Sequence, residues 1–271
     1  MRYLYVLLIT LPFLSRAQKN IDVTFYHEKI GNEMQIFADN HTFAPVSAEY
    51  TYAAENMTSS LLNKAIIIIP AKTDKFKIST VAVADSRLKS SFSYDVGFVL
   101  GDITDQDFDE NYVYSLPFAK QKTYLIFQGY NGKFSHQKAN SIDFSLKEND
   151  QVLAARAGKV VEVESGHSSH CPTIDCAQFN NKVIILHSDG TMAEYVHLKK
   201  NGVAVQLGDQ IAANQFIAYS GNTGFTKGPH LHFSVFKNNI DGSRTYFKTK
   251  FRTSKSGAAL LEEGKSYTKN Y

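Results

Sequence analysis

A chain of 271 residues is long enough for two modest domains or one large one. Its 43% hydrophobic and 20% charged residues are ordinary for a folded globular protein, and a formal net charge of +3 is too small to argue for a nucleic-acid partner. Aromatics make up 13%, all Phe and Tyr, and together with abundant Val, Ile and Thr they lean the chain towards strands.

Arg2 precedes an almost unbroken apolar run over residues 3–14, and Ser15-Arg16-Ala17 then offers small residues two apart. That layout predicts a signal peptide over residues 1–17; the run is too short to span a bilayer, which takes about 20 residues. The mature chain is expected to start near Gln18, to carry no membrane anchor, and to be exported to the periplasm or the medium. Residues 18–122 read as short strands divided by turns, predicting an accessory domain built as a small β-sandwich. Within it, residues 66–69 form a fully apolar run stopped by Pro70, which predicts a strand buried on both faces. His27 and His41 stand alone there and gather no chemistry.

From residue 123 to 271 strand and turn signals alternate and helical periodicity is scarce, so this half too is expected to be nearly all β. A strand over residues 124–128 runs into a Gly-punctuated loop. Beyond it, Ser135-His136-Gln137 sits in polar sequence, followed by Ile142-Asp143-Phe144. If Ile142 and Phe144 face the core, Asp143 turns to the opposite face, where a carboxylate needs a partner. A metal, a salt bridge or exposure at the strand end would each serve. Farther on, Cys171 and Cys176 are the only cysteines. In an oxidising compartment they could close a small loop disulfide, with two free thiols as the alternative. The spacing of His167, His170 and these cysteines is not that of a common zinc knuckle.

Ser188-Asp189-Gly190-Thr191 carries an Asp-Gly hairpin signal. A two-residue turn there pairs Lys182 with His197 and His187 with Met192, placing His197 and Tyr195 on one face and His187 on the other. Gly228-Pro229-His230-Leu231-His232-Phe233 opens a strand with Leu231, Phe233 and Val235 on its apolar face. His230 and His232 then share the other face, with Cβ atoms roughly 6.5–7 Å apart.

These segments together resemble the lysostaphin/LytM-type zinc endopeptidases, a family of peptidoglycan peptidases. His136 with Ile142-Asp143-Phe144, then Val152-Leu153-Ala154-Ala155 through Gly158-Lys159-Val160-Val161, looks like its first half. His187-Ser188-Asp189-Gly190-Thr191 with Glu194-Tyr195-Val196-His197-Leu198 is similar to its middle, and Ser220-Gly221-Asn222-Thr223-Gly224 through His230-Leu231-His232-Phe233 to its closing signature. The resemblance covers roughly residues 125–240. It implies one zinc ion on His136, Asp143 and His232, with His230 and His197 as working histidines that hold no metal. The six residues between His136 and Asp143 exceed the three of the best-known members, and residues 166–181 look like an insertion.

Three N/O ligands leave a tetrahedral zinc one open position, the pattern of a catalytic centre. The resemblance therefore implies hydrolysis of peptide bonds in peptidoglycan by a metal-activated water, with His230 as proton acceptor and His197 orienting the water or the developing oxyanion. Tyr195, Asn222 and Thr223 are weaker candidates for substrate contact. The alternative is a non-catalytic LytM-like regulator or cell-wall-binding protein.

Overall fold

A computed structural model describes residues 21–105, 107–254 and 257–271. The leader expected over residues 1–17 lies outside the described residues. Among the described residues, no helix is long and apolar enough to cross a membrane. The chain divides into two compact units, one comprising residues up to Ile103 with Asn239–Ser243, the other Thr104–Asn238 with Arg244–Tyr271. This division falls ahead of the 122/123 boundary expected from sequence. Tyr114, Leu116 and Phe118 explain the shift, since all three are buried in the core of the second unit.

The first unit has seven strands: β1 (Val23–Ile30), β2 (Glu33–Asn40), β3 (Val46–Glu55), β4 (Met57–Ser59), β5 (Ala65–Ile69), β6 (Thr73–Val83) and β7 (Ser91–Leu100). They form a four-stranded sheet in the order β1-β2-β6-β4 and a three-stranded sheet β5-β3-β7. Phe25 of the first sheet meets Phe98 of the second at 5.5 Å between ring centroids. The expectation that residues 66–69 are buried on both faces fails. β5 is an edge strand paired only with β3, and Ile66 is 38% exposed.

The second unit begins with β8 (Val113–Tyr114), β9 (Thr123–Gln128), β10 (Ser141–Phe144), β11 (Gln151–Leu153), β12 (Gly158–Glu164) and β13 (His170–Cys171). A short 3-10 helix over Ile174–Phe179 precedes β14 (Lys182–Leu186), β15 (Met192–Val196), β16 (Leu198–Val203), β17 (Gln210–Ile211) and β18 (Phe216–Ser220). The chain ends through β19 (Gly224–Phe225), β20 (Leu231–Asn238), β21 (Arg244–Phe247), β22 (Lys250–Arg252), β23 (Ala258–Leu260) and β24 (Ser266–Thr268). A nine-stranded sheet, β17-β12-β14-β15-β20-β10-β9-β24 with β21 added on β20, carries the unit. The protein is thus all-β, as its composition indicates. Phe118, Phe144, Tyr195, Phe233 and Phe251 pack edge-to-face in the core, contacts worth about 1 kcal/mol each beyond their area.

The β14–β15 hairpin corrects the expected register. Lys182 pairs with Val196 and Leu186 with Met192, one residue away from the predicted pairing. The loop has three residues instead of two: the His187 N–H donates to the Thr191 carbonyl, and the Gly190 N–H to the His187 carbonyl. Gly190 takes φ +73°, the left-handed residue that closes such a loop. Asp189 caps the turn through the Thr191 hydroxyl and ion-pairs with Arg156 at 2.7 Å.

His187 lies at the base of this hairpin, 3% exposed, with its Nδ1–H donated to the Ala157 carbonyl at 2.8 Å and Nε2 buried without a partner among the described residues. Burial pulls its pKa from 6.5 down to about 4, so it is neutral at pH 7. A group depressed in the folded state contributes stability above its unfolded pKa that is lost as pH falls through the folded one. Acidification from pH 6.5 to 4 should therefore remove roughly 3 kcal/mol through His187 alone. Urea unfolding at a series of pH values should show that component in the native chain and lack it in His187→Asn.

Candidate metal centre and cleft

The pairing of β10 with β20 sets Asp143 directly opposite His232, Ile142 opposite Phe233 and Phe144 opposite Leu231. Directly opposed residues share a face, so the apolar pairs enter the core while Asp143 and His232 meet on the other side. His232 Nδ1 lies 2.9 Å from Asp143 Oδ1. His136 reaches the same point from a loop of turns: its Nε2 is 3.1 Å from His232 Nδ1 and 3.2 Å from Asp143 Oδ1. The long excursion between His136 and Asp143 begins with a turn in which the Ala139 N–H closes onto the His136 carbonyl, and Ala139 and Ser141 line the cleft.

Partners outside the cluster fix each of its members. The Nδ1–H of His136 donates to the Gly129 carbonyl at 3.0 Å, which leaves Nε2 as the lone-pair nitrogen facing the cluster. Gln128 donates Nε2–H to Asp143 Oδ2 at 2.8 Å, while its Oε1 accepts the backbone N–H groups of Phe134 and Ser135. Gly132 makes room for that amide, since a Cβ there would stand 2.5 Å from Gln128 Cγ. Glu194 lies opposite Ser234 in the β15–β20 ladder, accepts its hydroxyl at 2.7 Å and ion-pairs with Arg244 at 2.9 Å. Its Oε1 is 4.0 Å from His232 Nε2.

Charge follows from these contacts. Burial pushes the Asp143 pKa up, but its close neighbours His136 and His232 outweigh it, holding the carboxylate ionised far below its usual range. Burial also opposes ionisation of Glu194, yet the charge of Arg244, then that of His232, and the Ser234 hydroxyl bring it down to about 2. His232 is lowered by burial and raised by more through Asp143.

The remaining two histidines flank the cluster. His230 lies just ahead of β20, donating Nδ1–H to the Gly228 carbonyl at 2.8 Å; its Nε2 is 3.8 Å from Asp143 Oδ1. His197 stands between β15 and β16 with φ +64°, which breaks the strand alternation and turns its ring to the same side. It donates Nδ1–H to the Thr223 carbonyl at 2.8 Å and packs 4.4 Å from the His230 ring. Burial, followed by the neighbouring His230 and His232, pulls His197 down to about 3, and burial likewise lowers His230. Both rings are neutral at pH 7, each with its Nε2 lone pair free.

All five residues sequence singled out as ligands or working histidines thus meet in one place. The three weaker candidates do not join them. Tyr195 is fully buried in the core against Phe233, accepting the Ala155 N–H on its hydroxyl, because the one-residue register shift sends it inward and sends Glu194 and Val196 outward. Thr223 is buried and spends its hydroxyl on the Leu198 carbonyl and the Asn181 N–H. It supports His197 through its own carbonyl instead of touching the cleft. Asn222 does not line the cleft either, and its Oδ1 is buried. Cys171 and Cys176 form a disulfide.

A cavity of about 580 Å³ opens over the cluster, with Asp143, His197, His230 and His232 on its floor and Glu194 and Arg244 at one side. Gln128, Glu194 and Arg244 escaped the sequence reading. The signal available for Glu194 was a lone charge inside the otherwise apolar run of residues 192–196.

Residues 137–243 match the model of peptidase family M23, a match that begins one residue past His136. Lysostaphin of Staphylococcus simulans is 34% identical over 103 residues, spanning 38% of this chain and 19% of that one. The peptidoglycan DD-endopeptidase ShyA of Vibrio cholerae is 42% identical over 55 residues, spanning 20% and 12%. Among solved structures, the catalytic domain of Staphylococcus simulans lysostaphin aligns at 26% identity and a TM-score of 0.33, covering 45% of this chain and 86% of that one. The matched segment spans less than a quarter of either curated relative's own length.

Removing Glu194 leaves the Arg244 guanidinium largely buried and unpaired. Glu194→Ala is expected to cost about 3–5 kcal/mol. Replacing the pair together by Glu194→Leu and Arg244→Met should recover most of that loss. Urea unfolding followed by tyrosine fluorescence, undisturbed by tryptophan in this chain, reads both.

Proposed function

We propose that the second unit, whose residues 137–238 fall within the match to peptidase family M23, hydrolyses peptide bonds of peptidoglycan at a single zinc ion held by His136, Asp143 and His232. One observation carries this reading: three ligand atoms of the right types converge while two neutral histidines face the same point. The donor set fits zinc. Bonds of 2.0–2.2 Å place tetrahedral ligands about 3.3 Å apart, and the converging atoms stand 2.9, 3.1 and 3.2 Å from one another. Two imidazoles and one carboxylate would leave a bound zinc ion a net positive charge and room for a water. A zinc ion there supplies a Lewis acid and brings the pKa of a bound water towards 7.

The chain's own groups manage the protons. His230, with Nδ1–H tied to Gly228, accepts the proton of the attacking water on Nε2 and returns it to the leaving amine. His197, anchored on Thr223 through Nδ1–H, orients that water by accepting a hydrogen bond on its Nε2 lone pair. Gln128 holds Asp143 by Oδ2, leaving Oδ1 towards His136 and His232, and the Gly129 carbonyl fixes the His136 tautomer. Export, which rests on the apolar run over residues 3–14, brings the domain to a cell-wall substrate.

Purified peptidoglycan incubated with the zinc-loaded chain should release soluble peptides, and a chelator should stop the release; a metallated sample that releases nothing sinks the reading. His230→Ala should keep its zinc and lose 10²–10⁴-fold in kcat. Asp143→Ala should lose both zinc and activity, and full zinc content in that variant would overturn the ligand assignment.

A further inference from the structure

Apart from histidines, the cations lining the cleft are Arg244 and Lys227. Arg244 ion-pairs with Glu194 at 2.9 Å. Lys227 is exposed and forms no ion pair among the described residues; its Nζ stands over the Phe134 ring, 3.7 Å from the centroid. The carboxylates that line the cleft, Asp143 and Glu194, are already engaged with His232 and Arg244. An aromatic face attracts an ammonium and so aims it, but does not cancel its charge. Phe134 is in turn backed by Phe225, at 5.7 Å between centroids.

The segment over residues 166–181, which reads as an insertion in the sequence, adds donors to this wall. β13 pairs parallel with β19, and the Thr226 N–H donates to the Cys171 carbonyl, so the segment is fixed against the chain leading to His230. Asn180 follows the 3-10 helix and lines the cleft. Its Oδ1 accepts the Phe225 N–H at 3.0 Å, which leaves both Nδ2 hydrogens as donors without a partner among the described residues. Gly224 permits this contact, since a Cβ there would collide with Asn180 Oδ1. Phe225 thus anchors Asn180 through its backbone and backs the ring under Lys227 with its side chain. An ammonium and an amide NH₂, both donors, call for a ligand that is anionic and only accepts: a carboxylate.

Position ties this wall to the reaction. Lys227 lies between the two residues that hold His230: Thr226 Oγ1 is 3.2 Å from His230 Nδ1, and the Gly228 carbonyl is 2.8 Å from it. A group bound on Lys227 therefore belongs to the stretch of substrate that carries the bond to be cut. We propose that Lys227, together with Asn180, binds a free carboxylate of the substrate peptide close to that bond, so that the cleft selects peptides with the free acid over their amidated forms. This rests on the peptidase reading above and deepens it, making Lys227 a specificity-determining residue. The contact makes and breaks no covalent bond, and it acts on KM more than on kcat.

The test uses the zinc-loaded full chain and one preparation of purified peptidoglycan, half of it left as it is and half amidated with ammonia and a carbodiimide. Initial rates of peptide release are measured over a range of peptidoglycan concentrations. The unmodified half is expected to be cut with kcat/KM about fivefold or more higher, chiefly through KM, and that ratio should shrink as salt is added. Lys227→Met keeps an apolar stem on Phe134 and removes the charge. It should bring the ratio to about 1 with zinc content and melting temperature unchanged, and Lys227→Arg should restore most of the preference. Equal or faster cleavage of the amidated half by the native chain overturns the inference and leaves the peptidase reading standing. A preference that survives undiminished in Lys227→Met does the same. If the native chain cuts neither half, the peptidase reading falls and this inference with it.

Discussion

The alignment of one residue pair across one strand ladder carries the centre. Asp143 and His232 face each other because β10 and β20 pair in a register that also sets Ile142 on Phe233 and Phe144 on Leu231. A slip by one residue would bury the carboxylate and the imidazole under the sheet and lift the aromatics out, so packing of the core enforces the chemistry above it. The same ladder continues to β15, where Glu194 meets Ser234. Core burial and site geometry are two faces of one register.

Around that pair, the surroundings are polar in a directed way. Gln128, the Gly129 carbonyl and the Glu194–Arg244 pair each face one group of the cluster from behind. In a poorly hydrated site such fixed dipoles and charges act more strongly than water would, and they are already oriented before a substrate arrives. The two neutral histidines sit where burial keeps them uncharged, ready to receive a proton. Anionic carboxylates behind and neutral bases in front make an arrangement suited to a cation in between.

The strand period made much of this legible. Alternation alone put His230 and His232 on one face and turned Asp143 away from Ile142 and Phe144, and the structure keeps both relations. Register was harder. Asp189-Gly190 predicts a two-residue turn, but Gly190 in the left-handed region closes a three-residue loop, and the added residue reverses the faces of β15. Tyr195 went to the core for that reason. His197 reached the cleft by a different route, through its own backbone. Gln128, Glu194 and Arg244 were missed because their partners lie 15 and 50 residues away in sequence, at distances that no local pattern encodes.

His197 also shows how a backbone can choose a side chain before chemistry does. Its φ of +64° lies in a region that β-branched and bulky residues scarcely enter, whereas His, Asn and Asp occur there several-fold more often than other non-glycine residues. The conformation thus favours a few residue types, although this chain also places Lys64 and Gln121 in it, and among the favoured ones His is the proton carrier near neutral pH. A kinetic comparison with alanine would mix the loss of an imidazole with the strain of a reluctant backbone. Asparagine, at home in the same conformation, isolates what the ring contributes.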